Sequence, residues 1–435
     1  MKITSSTPLL TRAPAHQPPD SKPIELPRLD RFEPSAPAPA PVEAPEPPKV
    51  GDKKTFFTWD MAVMPPGQKE ITATCRAVGE DAYIFVDDTC WNRLVTDRDV
   101  FEVDRRFHRE APSGAVEPRQ GVAANDHAYF GRPPLGLDGD PRAYVLITDI
   151  ASFKGTTLDG YFNPFDTITD AEAQQYGQRS NEKEIVYLNA GSRRIDSDYM
   201  QAVLAHEYSH LLQHQYDGEE ESWLGETLGE IAMQVNGYHT DMGHVARHQT
   251  RPDRPLVSQT YVDYGACMLF GTYLTERFGQ GFIEDLTRNP LHGTASIDDS
   301  LNRLGQSERF SGLFKDWVVA NYADARKVAT PGLHYSTLDV PAPAETLVGP
   351  EPFSESNKLV PTGVRYYRLP EGKDVSLRVQ ADGPGLNAEV LEFDGPRLNR
   401  VALEDGRADL FGSGDRVLAV SSLAEGDLNY TVTIA

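Results

Sequence analysis

The chain has 435 residues, and its 65 Asp and Glu residues outnumber its 42 Lys and Arg residues, which gives a formal net charge of −23 at pH 7. This balance argues against a general nucleic-acid binder and against docking on an anionic membrane, because both need clustered basic side chains. No apolar run approaches the ~20 residues of a transmembrane helix. Three cysteines exclude a disulfide scaffold and a cysteine-only zinc site, and one disulfide, such as Cys75 with Cys90, stays open.

The first segment, residues 1–54, is predicted to be a disordered tail. Residues 1–50 hold 13 of the 33 prolines, and such a segment is extended and builds no core. A propeptide or an export-related segment is the alternative. Residues 1–20 contain no apolar stretch of the kind found in secretory signals, so a cytoplasmic protein and a protein exported by another route both fit.

The region from residue 55 to residue 325 is predicted to contain strands first and helices afterwards. Short β-branched and aromatic runs predict buried strands at 82–88, 142–150 and 184–190, with a Gly/Pro/Asn-marked loop at 160–166. Apolar residues at three- and four-residue intervals predict helices at 98–111, 196–217, 223–235, 260–279, 281–288, 296–304 and 309–323. This order favours an α+β fold over a doubly wound sheet.

The C-terminal part is predicted to be an all-β sandwich. After a proline-rich linker at 326–352, the apolar period becomes two, and Val375, Leu377 and Val379 alternate with polar residues. Turn sequences recur about every ten residues, which is typical of a small sandwich. The linker predicts that this domain, residues 353–435, folds separately.

The strongest chemical signal is His206-Glu207-Tyr208-Ser209-His210, an HExxH sequence in the middle of a predicted helix. Two histidines four residues apart project from one helix face, so both imidazoles can reach one metal ion. Glu207 lies beside the first histidine, where a carboxylate can hold the water bound to that ion. By chance, one such sequence is expected in roughly 2 % of chains of this composition.

A third ligand is needed, because catalytic zinc usually takes three protein ligands and leaves a fourth position for water. Glu226 lies 16 residues after His210 on the next predicted helix, and the sequence DGEEES at 217–222 supplies a turn that lets this helix fold back. Glu226 is therefore the predicted third ligand. Glu230, one turn later, either accepts a hydrogen bond from a ligand histidine or is an exposed glutamate.

Other residues of this region are alternative candidates for the same site. His214 lies one turn too far along the helix, and we interpret it as a surface or substrate-rim histidine. His244 and His248 are predicted to lie on an exposed helical segment. Tyr264 either donates to the oxyanion of a tetrahedral intermediate or packs as an ordinary tyrosine. The remaining competing ligands are Asp217, Glu219, Glu220, Glu221 and His239.

Two segments, LAHEYSHLLQH at 204–214 and SWLGETLGEIA at 222–232, resemble the zinc-binding region of gluzincin metallopeptidases. The nearest resemblance is to the hyicolysin-type and immune-inhibitor-A-like bacterial peptidases. It extends over about residues 55–325, since four further segments are similar to that group in the same order: 81–91, 137–150, 180–190 and 263–279.

The resemblance implies a zincin-like domain with His206, His210 and Glu226 as Zn²⁺ ligands and Glu207 as general base. Gly225 and Thr227 flank Glu226 where the family usually has Asn and Gly, so the resemblance supports the ligand but not the family's substrate contacts near it. An extracellular location is suggested by this resemblance alone, and the usual secretory leader is missing from the sequence.

The expected function is that of a zinc-dependent endopeptidase acting on a protein or peptide. The strand at 184–190, just before the zinc helix, is expected at a sheet edge, where an extended substrate can pair with it. The alternative is a catalytically weak zincin-like binding or adhesion protein that acts through its sandwich. The presence of Glu207 favours the enzyme. An enzyme that trims chain ends would need a group that grips a terminus, and the sequence assigns none. The sequence does not determine the oligomeric state.

Overall fold

The computed structural model describes residues 46–152, 155, 157–238, 242–412 and 414–435, so most of the predicted tail lies outside the described residues. The first region contains strands β1 Lys53–Asp60, β2 Gly67–Val78, β3 Ala82–Asp87, β4 Ala143–Thr148, β5 Gly160–Phe162 and β6 Ile185–Asn189. Its helices are α1 Asp97–His108, α2 Val122–Phe130, α3 Asp170–Ala173, α4 Asp198–His214, α5 Ser222–Val235, α6 Met242–Thr250, α7 Tyr264–Phe278, α8 Gln280–Thr287, α9 Gly293–Arg303 and α10 Phe310–Ala323.

These elements confirm the α+β class, with strands before the main helices. The predicted strands and helices are present with ends that differ by a few residues. Helix α4, for example, begins after Ser197, whose side chain accepts a hydrogen bond from the Met200 N–H and caps the helix. The sequence patterns missed β1, β2, α2 and α3, whereas α6 is the helical segment predicted around His244 and His248.

The six strands form one mixed sheet in the order β1-β2-β3-β4-β6-β5. Strands β3, β4 and β6 are parallel, and β5 runs antiparallel to β6. The expectation that 184–190 is an edge strand is wrong, because β6 pairs with β4 on one side and β5 on the other, and all its residues are buried. Among the described strands, the edge next to β6 is β5. It lies within a segment predicted to be a loop, because three extended residues are too few to show a strand pattern.

The C-terminal part contains β7 Glu345–Leu347, β8 Phe353–Leu359, β9 Val364–Arg368, β10 Val375–Ala381, β11 Leu386–Asp394, β12 Arg397–Ala402, β13 Arg407–Leu410, β14 Asp415–Ser422 and β15 Leu428–Ile434. They form a four-stranded sheet, β13-β10-β15-β8, and a five-stranded sheet, β12-β11-β14-β9-β7. Apolar side chains of both sheets, including Val379, Val390, Leu418 and Val432, share one core. Strand β7 belongs to the second sheet although it lies within the predicted linker.

The central strands β11, β14 and β9 of the five-stranded sheet carry buried residues on both faces. The other face of this sheet, with Tyr366, Leu391 and Val417, joins the core of the helical region. The Tyr366 hydroxyl donates a hydrogen bond of 2.7 Å to the carbonyl oxygen of Val318 in α10. This continuous core argues against the expectation that the sandwich folds separately.

Two expectations from composition concern membranes and disulfides. Within the part of the chain that the structure describes, no helix combines the length and apolar character needed to cross a bilayer. Cys75, Cys90 and Cys267 are buried free thiols, so the disulfide left open by the sequence is not formed.

Candidate metal centre

Helix α4 carries the HExxH residues against the sheet. Its buried apolar side chains, such as Leu204, Tyr208 and Leu212, pack into the core, and the helix contacts β5 and β6. His206 and His210 project side by side, with ring centroids 4.7 Å apart and ring planes nearly perpendicular. The apolar stripe thus fixes the rotation of the helix and directs both imidazoles towards α5.

Glu226 comes from α5, which packs against α4. Its Oε2 atom lies 3.0 Å from Nε2 of His206 and 3.8 Å from Nε2 of His210. The three ligand atoms all lie within 4.8 Å of one another. A tetrahedral zinc ion about 2.0–2.1 Å from each ligand separates ligand atoms by about 3.4 Å. The two measured distances lie on either side of that value, so the donor set fits zinc.

The protonation states of His210 and Glu226 suit metal binding. Burial lowers the pKa of His210 to about 4, and His206 adds to the effect, so the imidazole is neutral at pH 7. Burial alone would raise the pKa of Glu226, but the hydrogen bond with His206 and the adjacent His210 outweigh it and hold the pKa below its ordinary value. Neutral imidazoles and an ionised carboxylate are the forms that bind a metal.

Glu207 lies between α4 and strand β5. Desolvation by the surrounding protein raises its pKa to about 7, and the charge of Glu226 adds to this while His206 opposes it. A hydrogen bond from the backbone N–H of Phe162 also acts to lower the pKa of Glu207, but burial outweighs it. The approach of β5 depends on Gly160, because a Cβ atom there would lie 3.2 Å from Cγ of Glu207 and 2.6 Å from Cγ1 of Val203.

Tyr264, at the start of α7, lies beside the cluster. Its ring centroid is 6.4 Å from that of His206 and 5.7 Å from that of His244. A hydrogen bond from its hydroxyl helps to lower the pKa of Glu226. Burial, together with the charges of Glu226 and Glu207, raises the pKa of Tyr264 well above its ordinary value. The tyrosine is therefore a protonated donor at the cluster, and its oxyanion role stays a prediction.

The structure separates the other candidates. Glu230 is only 1 % exposed, so its interpretation as a surface glutamate is wrong, and its hydrogen bond with a ligand histidine stays a prediction. His214 packs on the ring of Phe162, 5.3 Å between centroids. His248 is buried with its Nδ1 3.4 Å from Asp263, contrary to the predicted exposed position, because α6 packs against α7. His239 lies outside the described residues.

The acidic run at 217–221 lies in the turn between α4 and α5 and contacts α9. Glu220 accepts a 2.7 Å hydrogen bond from the Gly293 N–H, at the start of α9. Asp217 lies 3.1 Å from Nδ1 of His292. Asp217, Glu220 and His292 form a second group of candidate ligand atoms within 4.8 Å. These carboxylates hold α9 in place and do not reach His206.

Reasoning from the sequence missed two features of the site. One is the edge strand β5, which brings Phe162 to Glu207. The other is Gly229, whose backbone lies against the His206 imidazole. A signal for the second was present, because a glycine inside a helix costs about 1 kcal/mol relative to alanine and usually has a packing reason.

Comparisons with known proteins are sparse. No family model matches the chain, and no curated protein matches it. Among solved structures, the pre-peptidase C-terminal domain of a collagenase from Bacillus anthracis is 15 % identical over 21 % of this chain and 95 % of that chain, with a TM-score of 0.18. The periplasmic inhibitor of g-type lysozyme from Aeromonas hydrophila is 14 % identical over 21 % and 94 %, with a TM-score of 0.17. The Salmonella Typhimurium inhibitor is 18 % identical over 21 % and 97 %, also at 0.17. At these scores the similarities carry no argument about function.

Proposed function

We propose that this chain is a zinc-dependent metalloendopeptidase of the gluzincin type. The observation that carries the proposal is the convergence of Nε2 of His206, Nε2 of His210 and Oε2 of Glu226, with the Glu207 carboxylate beside them. Two imidazoles and one carboxylate are a common ligand set of catalytic zinc, and they leave a coordination position for water. When bound there, zinc lowers the pKa of water and polarises the scissile carbonyl.

Glu207 is proposed to move the protons. A general base works best when its pKa lies near the working pH, and burial raises the pKa of Glu207 to about 7. The carboxylate can then take a proton from the attacking water and pass it to the leaving amine. The carboxylate is buried next to His206 and Glu226, whose charges act on its pKa, so the base lies beside the proposed ligands.

Strand β5 is the proposed substrate platform. It has β6 on one side and no described strand on the other. Gly160 and Tyr161 are buried and Phe162 is partly exposed, so the Phe162 end is the part of this edge that an extended peptide can reach. Its last residue, Phe162, is the one whose N–H reaches Glu207. A peptide on this edge therefore passes next to the base. Backbone pairing along a strand does not require a chain terminus, which favours internal cleavage over trimming of ends.

Metal analysis of the purified protein together with digestion of a broad peptide library tests the proposal. We expect about one zinc per chain, cleavage inside peptides, and loss of cleavage on treatment with a chelator. A His210→Ala variant is the matched control and should lack both metal and activity. A zinc-loaded wild-type protein that cleaves nothing in the library would overturn the proposal in favour of the binding or adhesion function.

A further inference from the structure

Gly229 lies in the interior of α5, one turn after Glu226, and its backbone touches the His206 imidazole. A Cβ atom at this position would lie 2.6 Å from Nδ1 and 2.7 Å from Nε2 of His206. Ordinary contacts between non-bonded heavy atoms are about 3.5–4.0 Å. The ring can therefore occupy its place only because residue 229 has no side chain.

The glycine is not explained by the needs of the helix. Glycine destabilises a helix interior by about 1 kcal/mol relative to alanine. Gly225, four residues earlier on α5, would accept a Cβ atom without conflict, since its nearest neighbour would be Oε1 of Gln213 at 3.6 Å. Of these two glycines, Gly229 alone leaves no room for a Cβ atom, and the residue that fills the room is His206, a candidate metal ligand.

We infer that Gly229 is a positioning residue for the metal centre, and this inference rests on the proposed function. The His206 ring occupies the space that a side chain of residue 229 would fill. In this orientation, Nε2 of His206 lies 3.0 Å from Oε2 of Glu226. If a methyl group fills that space, something must move. The imidazole can rotate about two side-chain bonds, whereas α5 is fixed by buried Leu228, Ile231 and Ala232. The ring therefore moves, and Nε2 leaves the ligand position.

Zinc titration in a chelator buffer tests this with Gly229→Ala and the matched control Gly225→Ala. Loss of an outer-shell partner weakens metal binding by about 10–100-fold, so displacement of a ligand should weaken it by at least about 100-fold. The control should keep the wild-type affinity. The metal-free Gly229→Ala protein should melt at the wild-type temperature or above, because alanine favours the helix. In a His206→Ala background, Gly229→Ala should change the affinity no further.

A wild-type zinc affinity for Gly229→Ala would overturn the inference, and so would a lowered melting temperature of its metal-free form. A crystal structure of the metal-free variant decides the question without zinc. We expect α5 in place and the His206 ring turned away from Glu226. A displaced α5 with the 3.0 Å contact retained would contradict the inference. Failure of the wild-type protein to bind zinc would instead count against the proposed function.

Discussion

Nε2 of His206 and Oε2 of Glu226 lie 3.0 Å apart although 20 residues separate them in the chain. The turn between α4 and α5 returns the second helix to the middle of the first. The acidic residues of that turn lie at the C-terminal end of α4 and contact α9. Glu220, for example, accepts a hydrogen bond from the Gly293 N–H. The third ligand is therefore determined by the packing of α5 against α4, and not by which carboxylate is nearest to the histidines in the sequence.

Replacing Glu226 tests this assignment. Glu226→Ala leaves two histidines, so zinc affinity should fall by at least about 100-fold, because a direct ligand contributes more than an outer-shell partner. Glu220→Ala should leave the affinity of the site at His206 and His210 nearly unchanged, since that carboxylate accepts hydrogen bonds from Gly293 and Ser296 and belongs to a separate group with Asp217 and His292. Both variants are titrated with zinc under one chelator buffer. Loss of the metal from the Glu220 variant with retention in the Glu226 variant would refute the ligand set.

Metal removal should lower thermal stability through the same residues. Zinc at about 1,000 times its dissociation constant stabilises the folded state by about 4 kcal/mol if the unfolded chain does not bind it. A chelator should therefore lower the melting temperature of the wild-type protein. The Glu226→Ala variant should melt at nearly the same temperature with and without chelator. An equal chelator effect on both proteins would place the stabilising metal elsewhere.

Acid should destabilise the protein partly through His127, on α2. Burial lowers its pKa from 6.5 to about 4, and the charge of Arg132 adds to this. Between these values the unfolded chain binds more protons, so the stability that His127 contributes is present above pH 6.5 and is lost as the pH falls towards 4. The loss between pH 7 and pH 5 should be on the order of 1–2 kcal/mol.

Urea unfolding of the metal-free wild-type and His127→Gln proteins at pH 7 and pH 5 measures this loss of stability. The contributions of titrating groups that both proteins share cancel in the comparison. Glutamine does not titrate, so the variant should lose less stability on acidification. An equal loss in the two proteins would show that His127 titrates normally in the folded state.

The sandwich should unfold together with the helical region. Leu391 is fully buried on the face of the five-stranded sheet that joins the helical core. Leu391→Ala should lower the free energy of unfolding by about 2–5 kcal/mol. Leu347→Ala, in a residue that is 71 % exposed, should change it by less than about 0.5 kcal/mol. Calorimetry should show one transition for both. Two separate transitions, of which Leu391→Ala shifts only one, would show that the sandwich and the helical region unfold independently.

The sequence predicted the parts of the site that depend on local spacing. His206, Glu207 and His210 follow from helical geometry, and Glu226 follows from a second helix after a turn. Strand β5 could not be predicted, because its identity depends on pairing with Leu188, Tyr187 and Val186 of β6. No pattern within the three residues of β5 indicates that pairing.

The packing of the sandwich against the helical region has a local sequence signal. Strand β14 contains the consecutive apolar residues Val417, Leu418, Ala419 and Val420, and all four are buried. A strand with one exposed face alternates between apolar and polar residues, whereas an uninterrupted apolar run indicates burial on both faces. The strands whose alternation was recognised, such as β10, have the burial pattern expected for one exposed face.

The most direct test of the account is the activity and metal content of Glu207→Gln. Glutamine keeps the size of the side chain but cannot take a proton, and Glu207 is not one of the three converging ligand residues. The variant should retain about one zinc per chain and lose at least about 10²–10⁴-fold in kcat, the range that general acid–base catalysis contributes. A zinc-loaded Glu207→Gln protein with near wild-type peptidase activity would contradict the proposed mechanism.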